Sequence, residues 1–318
     1  MELINSTEIF QAVAVLRRGG LVAFPTETVY GLGADAKNSE AVARIFAVKG
    51  RPVDHPVIVH LGCAEQLKDW ASEINPAAWK LARHFWPGPL TLILPRAASV
   101  LDCVTGSQNT IGLRVPDHPI AQALLQAFQS GIAAPSANRF GCISPTQAGH
   151  VRQALNNKVD LILDGGECVV GIESTIVDLS TDKNIRIIRP GSITAGQIEA
   201  VLKKSITVSL AVKAGMRAPG LLKTHYAPHT RLQLVPRRAL TDTIMSLLAR
   251  HKKIVVLAQQ TYTVTHSHLH WIKMPLKPEH YAQKLYDTLH RADTLNSDII
   301  LVEEIPEAEH WLAIKPEQ

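Results

Sequence analysis

Short apolar runs alternate with helix-like segments along the first two hundred residues, and this alternation constrains the fold more than any other feature of the chain. Apolar runs bounded by glycine, proline or polar residues predict strands over 21–24, 57–61, 90–94, 111–115, 132–134, 159–163, 175–179 and 185–188. Helical spacing predicts helices over 5–18, 39–48, 76–85, 118–129, 145–156 and 194–204. Short apolar strands that alternate with helices are typical of an α/β domain with a largely buried sheet.

This regular pattern stops near residue 206 and resumes at 231. The stretch between them is rich in glycine and proline and predicts an extended linker over 206–230. A second alternation follows, with strands predicted over 232–235, 254–258 and 299–302 and helices over 238–251 and 279–292. A chain of 318 residues is long enough for two domains. We therefore predict a first domain over 1–205, the linker, and a small βαβ, Rossmann-like domain over 231–318.

Several classes of protein are disfavoured by what the sequence lacks. Its four cysteines form no C-x-x-C pair, which argues against a zinc knuckle or a disulfide scaffold. No signal peptide and no apolar run of about 18 residues is visible, so we expect a cytoplasmic protein with no membrane partner. The phosphate-binding G-x-x-x-x-G-K-[ST] loop, the hydrolase G-x-S-x-G turn and the zinc-deaminase motifs are also missing.

Positive charge is concentrated in one part of the chain, although the net charge is only +5. Residues 206–253 contain one acidic residue, Asp242, and a run of basic ones, namely Lys213, Arg217, Lys223, Arg231, Arg237, Arg238, Arg250, Lys252 and Lys253. Such a stretch fits either a site for a polyanion such as RNA or a solvated linker and helix face. An RNA-binding module is therefore an alternative, although Tyr226 is the one aromatic side chain there that is placed to stack on a base.

Hydroxyl groups and cations recur in the loops that follow the predicted strands. Lys49 and Arg51 flank a glycine at a helix end, where they suit the helix dipole or an anionic ligand equally well. Arg114 ends a buried strand and needs either a structural partner or an anion. Other loops supply Thr26, Thr28, Tyr30, Thr110, Ser136, Asn138, Ser144, Ser174 and Arg189. Together these side chains predict one concave site for a polar, anionic ligand.

Two further features have competing interpretations. Gly31 and Gly33 either let a ligand approach the backbone closely or belong to an ordinary turn. His266, His268 and His270 would share one face of a strand, where they either bind a metal or form an exposed edge. We favour the exposed edge.

Seven motifs, taken in order, closely resemble the YrdC-like family. They are AFPTETVYGLGADA, KGRP…PVIVH, FWPGPLTLIL, IGLRVPDHP, APSAN…SPT, GIESTIVD and IIRPGSI. The K-x-R pair and the S-x-N pair are hallmarks of that family. The additional domain behind a linker is similar to the longer, two-domain threonylcarbamoyl-AMP synthases. The resemblance implies a twisted mixed sheet with flanking helices in the first domain.

The resemblance also implies an activity. Members of the family convert L-threonine, bicarbonate and ATP into L-threonylcarbamoyladenylate and pyrophosphate. A tRNA threonylcarbamoyl transferase then moves the threonylcarbamoyl group to the adenosine beside the anticodon. ATP is thus expected as a substrate, Mg²⁺ is expected without a protein ligand that we can identify, and contact with tRNA is a further expectation.

The family's binding positions transfer residue by residue onto this sequence. The resemblance implies L-threonine contacts at Thr28, His60, Arg114, Ala134 and Ser174. It implies an ATP site at Lys49, Arg51, His55, Thr110, Ser136, Asn138, Ser144, Arg189 and Tyr226. His55 stands where the family usually has asparagine. Catalytic roles are expected for Lys49, Arg51 and His60, with His60 either accepting a proton from the amine or only orienting it.

A third interpretation is a carbamoyl-handling relative that uses carbamoyl phosphate, as in hydrogenase maturation proteins with a similar domain. Those relatives carry zinc-finger and acylphosphatase segments, and neither is visible in this sequence. We therefore expect the adenylate-forming activity.

Overall fold

Ten strands from the first two hundred or so residues form one mixed sheet in the computed structural model, which describes residues 6–181, 185–209, 227–260 and 262–314. The strands are β1 Val22–Phe24, β2 Gly31–Asp35, β3 Val59–His60, β4 Leu90–Pro95, β5 Thr110–Arg114, β6 Ile132–Ala133, β7 Leu161–Ile162, β8 Thr175–Asp178, β9 Arg186–Arg189 and β10 Thr207–Val208. Their spatial order is β10-β9-β8-β4-β5-β3-β6-β2-β1-β7, with parallel and antiparallel neighbours. The expected mixed sheet is confirmed.

Helices cover this sheet, and local chemistry sets where they begin and end. Asn38 caps one helix by accepting hydrogen bonds from the backbone of Glu40 and Ala41, and Gly50 ends it in the left-handed conformation, with φ of 64°. A capping box of Thr194 and Gln197 begins the last one. The helices are α1 Ser6–Arg17, α2 Ser39–Lys49, α3 Leu67–Trp70, α4 Pro76–Phe85, α5 Asp102–Thr105, α6 Pro119–Phe128, α7 Ala148–Leu155 and α8 Ala195–Leu202.

The core of the first domain lies around β4. This strand pairs with β5 on one side and with β8 on the other, over four residues each. Leu90, Leu92 and Leu94 are fully buried in the main apolar cluster. The pairing with β5 is antiparallel and the pairing with β8 is parallel. A strand covered on both faces needs a nearly continuous apolar run, which the sequence LTLIL supplies.

The second sheet is smaller and entirely parallel. Its strands are β11 Leu232–Val235, β12 Ile254–Ala258, β13 Leu269–Lys273 and β14 Ile299–Glu303, in the order β11-β14-β12-β13. Parallel neighbours require crossover connections, and α9 Leu240–Ala249 and α10 Pro278–Asp293 provide two of them. The Rossmann-like expectation for this domain is confirmed. None of the helices described is both long enough and apolar enough to cross a bilayer.

Three strands were not predicted from the sequence, and one of them, β10, begins inside the predicted linker. Residues 31–35 form β2, although their glycines suggested a turn. A Cβ at Gly33 would lie 2.8 Å from both Ile132 and Phe24, so this glycine permits close packing within the protein and not the approach of a ligand. Residues 269–273 form β13, an edge strand that contains His270 with its side chain exposed. The described residues contain no group of three or more metal-binding side chains.

The predicted boundaries between domains remain predictions. Strand β10 pairs with β9, so the large sheet extends to Val208, beyond the boundary placed at 205. Most of the predicted linker, residues 210–226, lies outside the described part of the chain, and Tyr226 lies there too.

Replacing Leu92 with alanine tests the central position of β4. Leu92→Ala leaves a cavity in a fully buried core, so we expect the free energy of unfolding to fall by about 2–5 kcal/mol. Val208→Ala, on the exposed edge strand, is the matched control and should cost less than about 1 kcal/mol. Urea titration followed by circular dichroism measures both. Equal losses in the two variants would contradict the prediction.

Candidate active site

One cleft is lined by side chains from loops and strand ends of the large sheet. The cleft is lined by Thr26, Thr28, Val29, Gly31, Arg51, Ile58, His60, Arg114, Ala134, Pro135, Ser136, Glu173, Ser174 and Arg189. Strands β3 and β5 run parallel, and their register places His60 beside Arg114 at the ends of both strands. The carboxyl ends of parallel strands meet at one edge of a sheet, so residues far apart in sequence meet there.

Arg114 is held at the floor of the cleft by a buried network. Its Nη2 lies 2.6 Å from Oε1 of Glu27, and the two side chains are 4% and 3% exposed. Its Nη1 donates to Oγ1 of Thr28 at 2.9 Å, and its Nε donates to the carbonyl of Gly88 at 3.3 Å. The backbone N–H of Asp117 donates to Oε2 of Glu27 at 2.9 Å, which fixes the carboxylate. The guanidinium therefore has a structural partner and still borders the cleft.

His60 is buried beside this guanidinium and stays neutral. Burial, followed by the positive charge of Arg114, lowers the pKa of His60 to about 3. Its ring packs edge-on against Phe24, with 5.9 Å between the ring centroids. Its Nδ1 makes no hydrogen bond to any of the residues that the structure describes. An uncharged imidazole at this place is suited to hydrogen bonding and is a weak proton acceptor.

Lys49 and Arg51 lie on either side of the glycine that ends α2, and both are buried. Nζ of Lys49 donates to the carbonyls of Ser136 and Asn138, each at 2.5 Å. Burial and the neighbouring charge of Arg51 lower the pKa of Lys49 to about 7. Nη2 of Arg51 donates to the carbonyl of Pro56 at 2.8 Å. The K-x-R pair thus tethers two loops that border the cleft.

A second group of polar side chains joins two further loops of the cleft. Arg189 donates from Nε to the carbonyl of Ser174 at 3.0 Å and from Nη2 to the hydroxyl of the same residue at 2.9 Å. Oγ of Ser144 donates to Oε1 of Glu173 at 2.6 Å. The other oxygen of Glu173 lies 3.9 Å from Arg189. The two loops that carry Ser144 and Glu173 are therefore joined at the cleft.

The structure brings most of the predicted residues together. The residues that line the cleft are Thr28, Arg51, His60, Arg114, Ala134, Ser136, Ser174 and Arg189, and those just behind its wall are Lys49, Asn138 and Ser144. Oδ1 of Asn138 is buried and has no hydrogen-bond partner among the described residues, while Nδ2 donates to two backbone carbonyls.

Three predicted residues are not placed on the cleft wall. Thr110 begins β5, four residues before Arg114, which corresponds to about 13 Å along a strand. The ring of His55 packs edge-on against Phe140, with 5.7 Å between centroids. The centroid of the Phe140 ring also lies 5.9 Å from the guanidinium of Arg51, so His55 and Arg51 share this aromatic neighbour, although His55 does not line the cleft. Tyr226 lies outside the described residues.

Sequence reasoning missed two carboxylates, Glu27 and Glu173. Glu27 lies between two threonines of a loop that has no other charged residue, and Glu173 follows Ile172 in a similar apolar setting. A carboxylate in an apolar loop needs a cation nearby, and this requirement could have predicted that Glu27 and Glu173 lie close to the arginines of the site.

A mixed α/β domain with a cleft bordered by buried cations, followed by a small parallel domain, defines the class of protein. The family model described as telomere recombination matches residues 14–191. The model of the threonylcarbamoyl-AMP synthase C-terminal domain matches residues 193–315. The chain belongs to the threonylcarbamoyl-AMP synthase family and is an enzyme.

Individual relatives are similar to this chain over nearly its full length. The chain is 39% identical to the threonylcarbamoyl-AMP synthase of Pyrococcus abyssi over 98% of this chain and 93% of that protein. It is 39% identical to the threonylcarbamoyl-AMP synthase of Bacillus subtilis over 98% of this chain and 91% of that one. A crystal structure of P. abyssi Sua5 in complex with L-threonine matches with a TM-score of 0.91 and 38% identity, over 98% of this chain and 93% of that chain.

The neutral state of His60 predicts how stability depends on pH. The native protein keeps His60 uncharged, whereas the unfolded chain binds a proton below about pH 6.5, so stability is lost as the pH falls from that value. We expect His60 to contribute up to about 2 kcal/mol of the loss between about pH 6.5 and pH 5. Urea titrations of the wild type and of His60→Gln at both pH values measure it. An identical acid sensitivity in the two proteins would contradict the prediction.

Glu27→Ala tests the buried ion pair. The variant leaves the guanidinium of Arg114 buried without its carboxylate, so we expect the free energy of unfolding to fall by about 3–5 kcal/mol. Glu304→Ala removes an exposed carboxylate and serves as the control, with a loss below about 0.5 kcal/mol. Chemical denaturation measures the free energy of unfolding of both variants. A loss at Glu27 as small as that of the control would show that the pair contributes little.

Proposed function

We propose that this cleft synthesises L-threonylcarbamoyladenylate and pyrophosphate from L-threonine, bicarbonate and ATP. The observation that carries the proposal is the convergence of four buried cations on one cleft, namely Lys49, Arg51, Arg114 and Arg189. A reaction among an amino acid with a free carboxylate, a bicarbonate and a triphosphate must hold several anions close together and offset their repulsion. The match to a structure of a relative with bound L-threonine supports the amino-acid part.

In this proposal L-threonine binds over the floor of the cleft. Arg114 pairs with its carboxylate, because a fixed guanidinium binds a carboxylate through two parallel hydrogen bonds. Thr28 and Ser174 offer hydroxyl groups, Ala134 offers backbone, and neutral His60 lies beside Arg114 where it can accept a hydrogen bond from the amine. A site with buried hydroxyl groups discriminates against an amino acid that has no side-chain hydroxyl.

ATP binds on the side of the K-x-R loop. Arg51 and Arg189 face the phosphates, and Lys49 stands behind Ser136, where the approach of phosphate favours its charged form. Oδ1 of Asn138, which no other residue in the described part of the chain contacts by a hydrogen bond, is an acceptor available to the nucleotide. The remaining members of the proposed ATP site are Ser144, His55, Thr110 and Tyr226.

The chemistry needs no covalent intermediate on the protein. The amine of L-threonine attacks the carbon of bicarbonate, and loss of water leaves a carbamate. A carbamate oxygen then attacks the α-phosphorus of ATP, and the bond to the β-phosphate breaks to release pyrophosphate. Since the pKa of His60 is about 3, we propose that His60 orients the amine and that the proton leaves by solvent or bicarbonate.

Mg²⁺ is proposed to enter with the triphosphate. Mg²⁺ is usually held by one or two carboxylates together with phosphate oxygens, and Glu173 is a carboxylate on the cleft wall next to the proposed ATP residues. Mg²⁺ would supply charge neutralisation on the phosphates. One carboxylate on the cleft wall therefore fits a metal ion that is coordinated mainly by the phosphate oxygens of the nucleotide.

The product is proposed to supply a tRNA threonylcarbamoyl transferase, for modification of the adenosine next to the anticodon. An acyl-adenylate hydrolyses readily, so a consuming enzyme must receive it promptly. A direct contact with tRNA is also proposed, and it would use exposed cations of the second domain such as Arg237, Arg238 and Arg250.

Incubation of the pure protein with ATP, Mg²⁺, L-threonine and labelled bicarbonate tests the reaction. We expect a labelled adenylate and an equal amount of pyrophosphate, both absent when L-threonine is omitted. Rapid chromatography and a pyrophosphate assay measure the two products. Pyrophosphate release that does not need L-threonine, or no labelled product at all, would contradict the proposal.

Two variants test which side of the cleft binds which substrate. Arg51→Gln should raise the KM for ATP at least about tenfold, because it removes a charge-assisted contact to phosphate. Thr28→Val should raise the KM for L-threonine by a similar factor through loss of a buried hydroxyl. Each should leave the KM of the other substrate within about twofold. Arg44→Gln, which breaks a surface ion pair with Asp160, is the control and should change neither.

A further inference from the structure

The C-terminal domain packs directly against the two loops that carry Ser144 and Glu173. The residues just before them, Ile143 and Ile172, are 2% and 3% exposed and belong to an apolar cluster with Tyr281 and Tyr286 of α10, among others. Val29, which follows Thr28, belongs to the same cluster. Three segments of the cleft therefore rest on the second domain.

The contact between the loop and the helix is close enough to involve the backbone. A Cβ on Gly171 would lie 2.5 Å from Cα and from the carbonyl oxygen of Gln283, and Gly171 has φ of +74°. Only glycine fits both conditions without displacing the helix. Beside this point Nζ of Lys284 forms an ion pair with Glu167 at 2.8 Å. The loop before Glu173 is thus fixed to one turn of α10.

At the other loop a histidine of α10 holds the backbone of Ser144. Nε2 of His290 lies 3.2 Å from the carbonyl oxygen of Ser144, and since a carbonyl only accepts, Nε2 carries the proton. The ring stacks on His150 of α7, with 3.9 Å between centroids and 21° between planes. The backbone N–H of Thr146 donates to Nδ1 of His150 at 3.3 Å, and Nε2 of His150 lies 3.6 Å from Asp287. Both rings are therefore fixed in place.

The hydroxyl of Ser144 belongs to the same residue whose carbonyl oxygen faces His290. The side chain is fully buried, and its hydroxyl donates to Oε1 of Glu173 at 2.6 Å. Burial lowers the pKa of His290 below that of an ordinary histidine, with opposing contributions from the Ser144 carbonyl, Asp293 and Asp287 and a further lowering by His229. The neutral ring is therefore the form that holds the loop near pH 7.

We propose that His290 of the C-terminal domain is a positioning residue for the nucleotide side of the cleft and acts through Ser144. The inference rests on the proposed function, in which Ser144 belongs to the ATP site. The second domain then contributes to ATP binding through the backbone of Ser144.

His290→Ala, His290→Gln and His280→Ala test this role. His290→Ala removes the donor, and we expect the KM for ATP and the Kd for ATP to rise about five- to tenfold, with the KM for L-threonine within about twofold. Calorimetric titration with ATP alone gives the Kd apart from turnover. His290→Gln keeps an N–H at the same reach and should restore the wild-type values. His280→Ala, on the exposed surface of the same helix, is the matched control.

A double-mutant cycle with Ser144→Ala identifies the route of the effect. If His290 acts through Ser144, the double variant Ser144→Ala/His290→Ala binds ATP as weakly as Ser144→Ala alone. Should His290→Ala fail to fold, His290→Asn replaces it, because its amide is too short to reach the carbonyl of Ser144 and it should weaken ATP binding in the same way.

Three outcomes would overturn the inference while the proposed function stands. They are unchanged ATP binding in a folded His290→Ala variant, an equal rise in the KM for L-threonine, and additive losses in the cycle. A wild-type protein that neither binds ATP nor forms the adenylate would refute the proposed function itself.

Discussion

Repulsion between buried cations is the constraint on which the rest of this structure depends. Lys49, Arg51, Arg114 and Arg189 surround one cleft, and each must be stabilised before any substrate arrives. Backbone carbonyls accept from Lys49 and Arg51, whereas Glu27 pairs with Arg114. Burial, and after it the charge of Arg51, lowers the pKa of Lys49 to about 7, so the accepting carbonyls offset these two costs only in part. Incomplete compensation leaves a positive field, and a field of this kind favours anionic substrates and a transition state with added negative charge.

The cations and the polar side chains around them are held in place by two kinds of support. The parallel pair β3 and β5 provides a rigid floor, on which His60 and Arg114 are neighbours by strand register. Ser144 and Glu173 lie on loops, and loops need external support to hold a side chain in place. Helix α10 supplies that support from the second domain through apolar packing and through His290. The small domain is thus part of the construction of the site and not only an appendage to it.

Much of the fold could be predicted because the signals were local. The helix predicted over 76–85 matches α4, and the strands predicted over 232–235 and 254–258 match β11 and β12, since apolar periodicity and proline or asparagine caps act within a few residues. Strand β2 was missed because its glycines resemble turn residues. Gly33 is needed in β2 because Phe24 packs under the strand and leaves no space for a Cβ at that position. A contact of that kind is not visible in a sequence.

The sequence by itself determined the class of fold, the division into two α/β units and the residues predicted for the site, because periodicity and motif order are properties of the chain. Only the tertiary structure decided which of those residues share a cleft. It joined Glu27 to Arg114, made His60 neutral by burial, and left Thr110 at the far end of its strand. Ion pairing, desolvation and distance depend on neighbours that are distant in sequence, and folding alone brings them together.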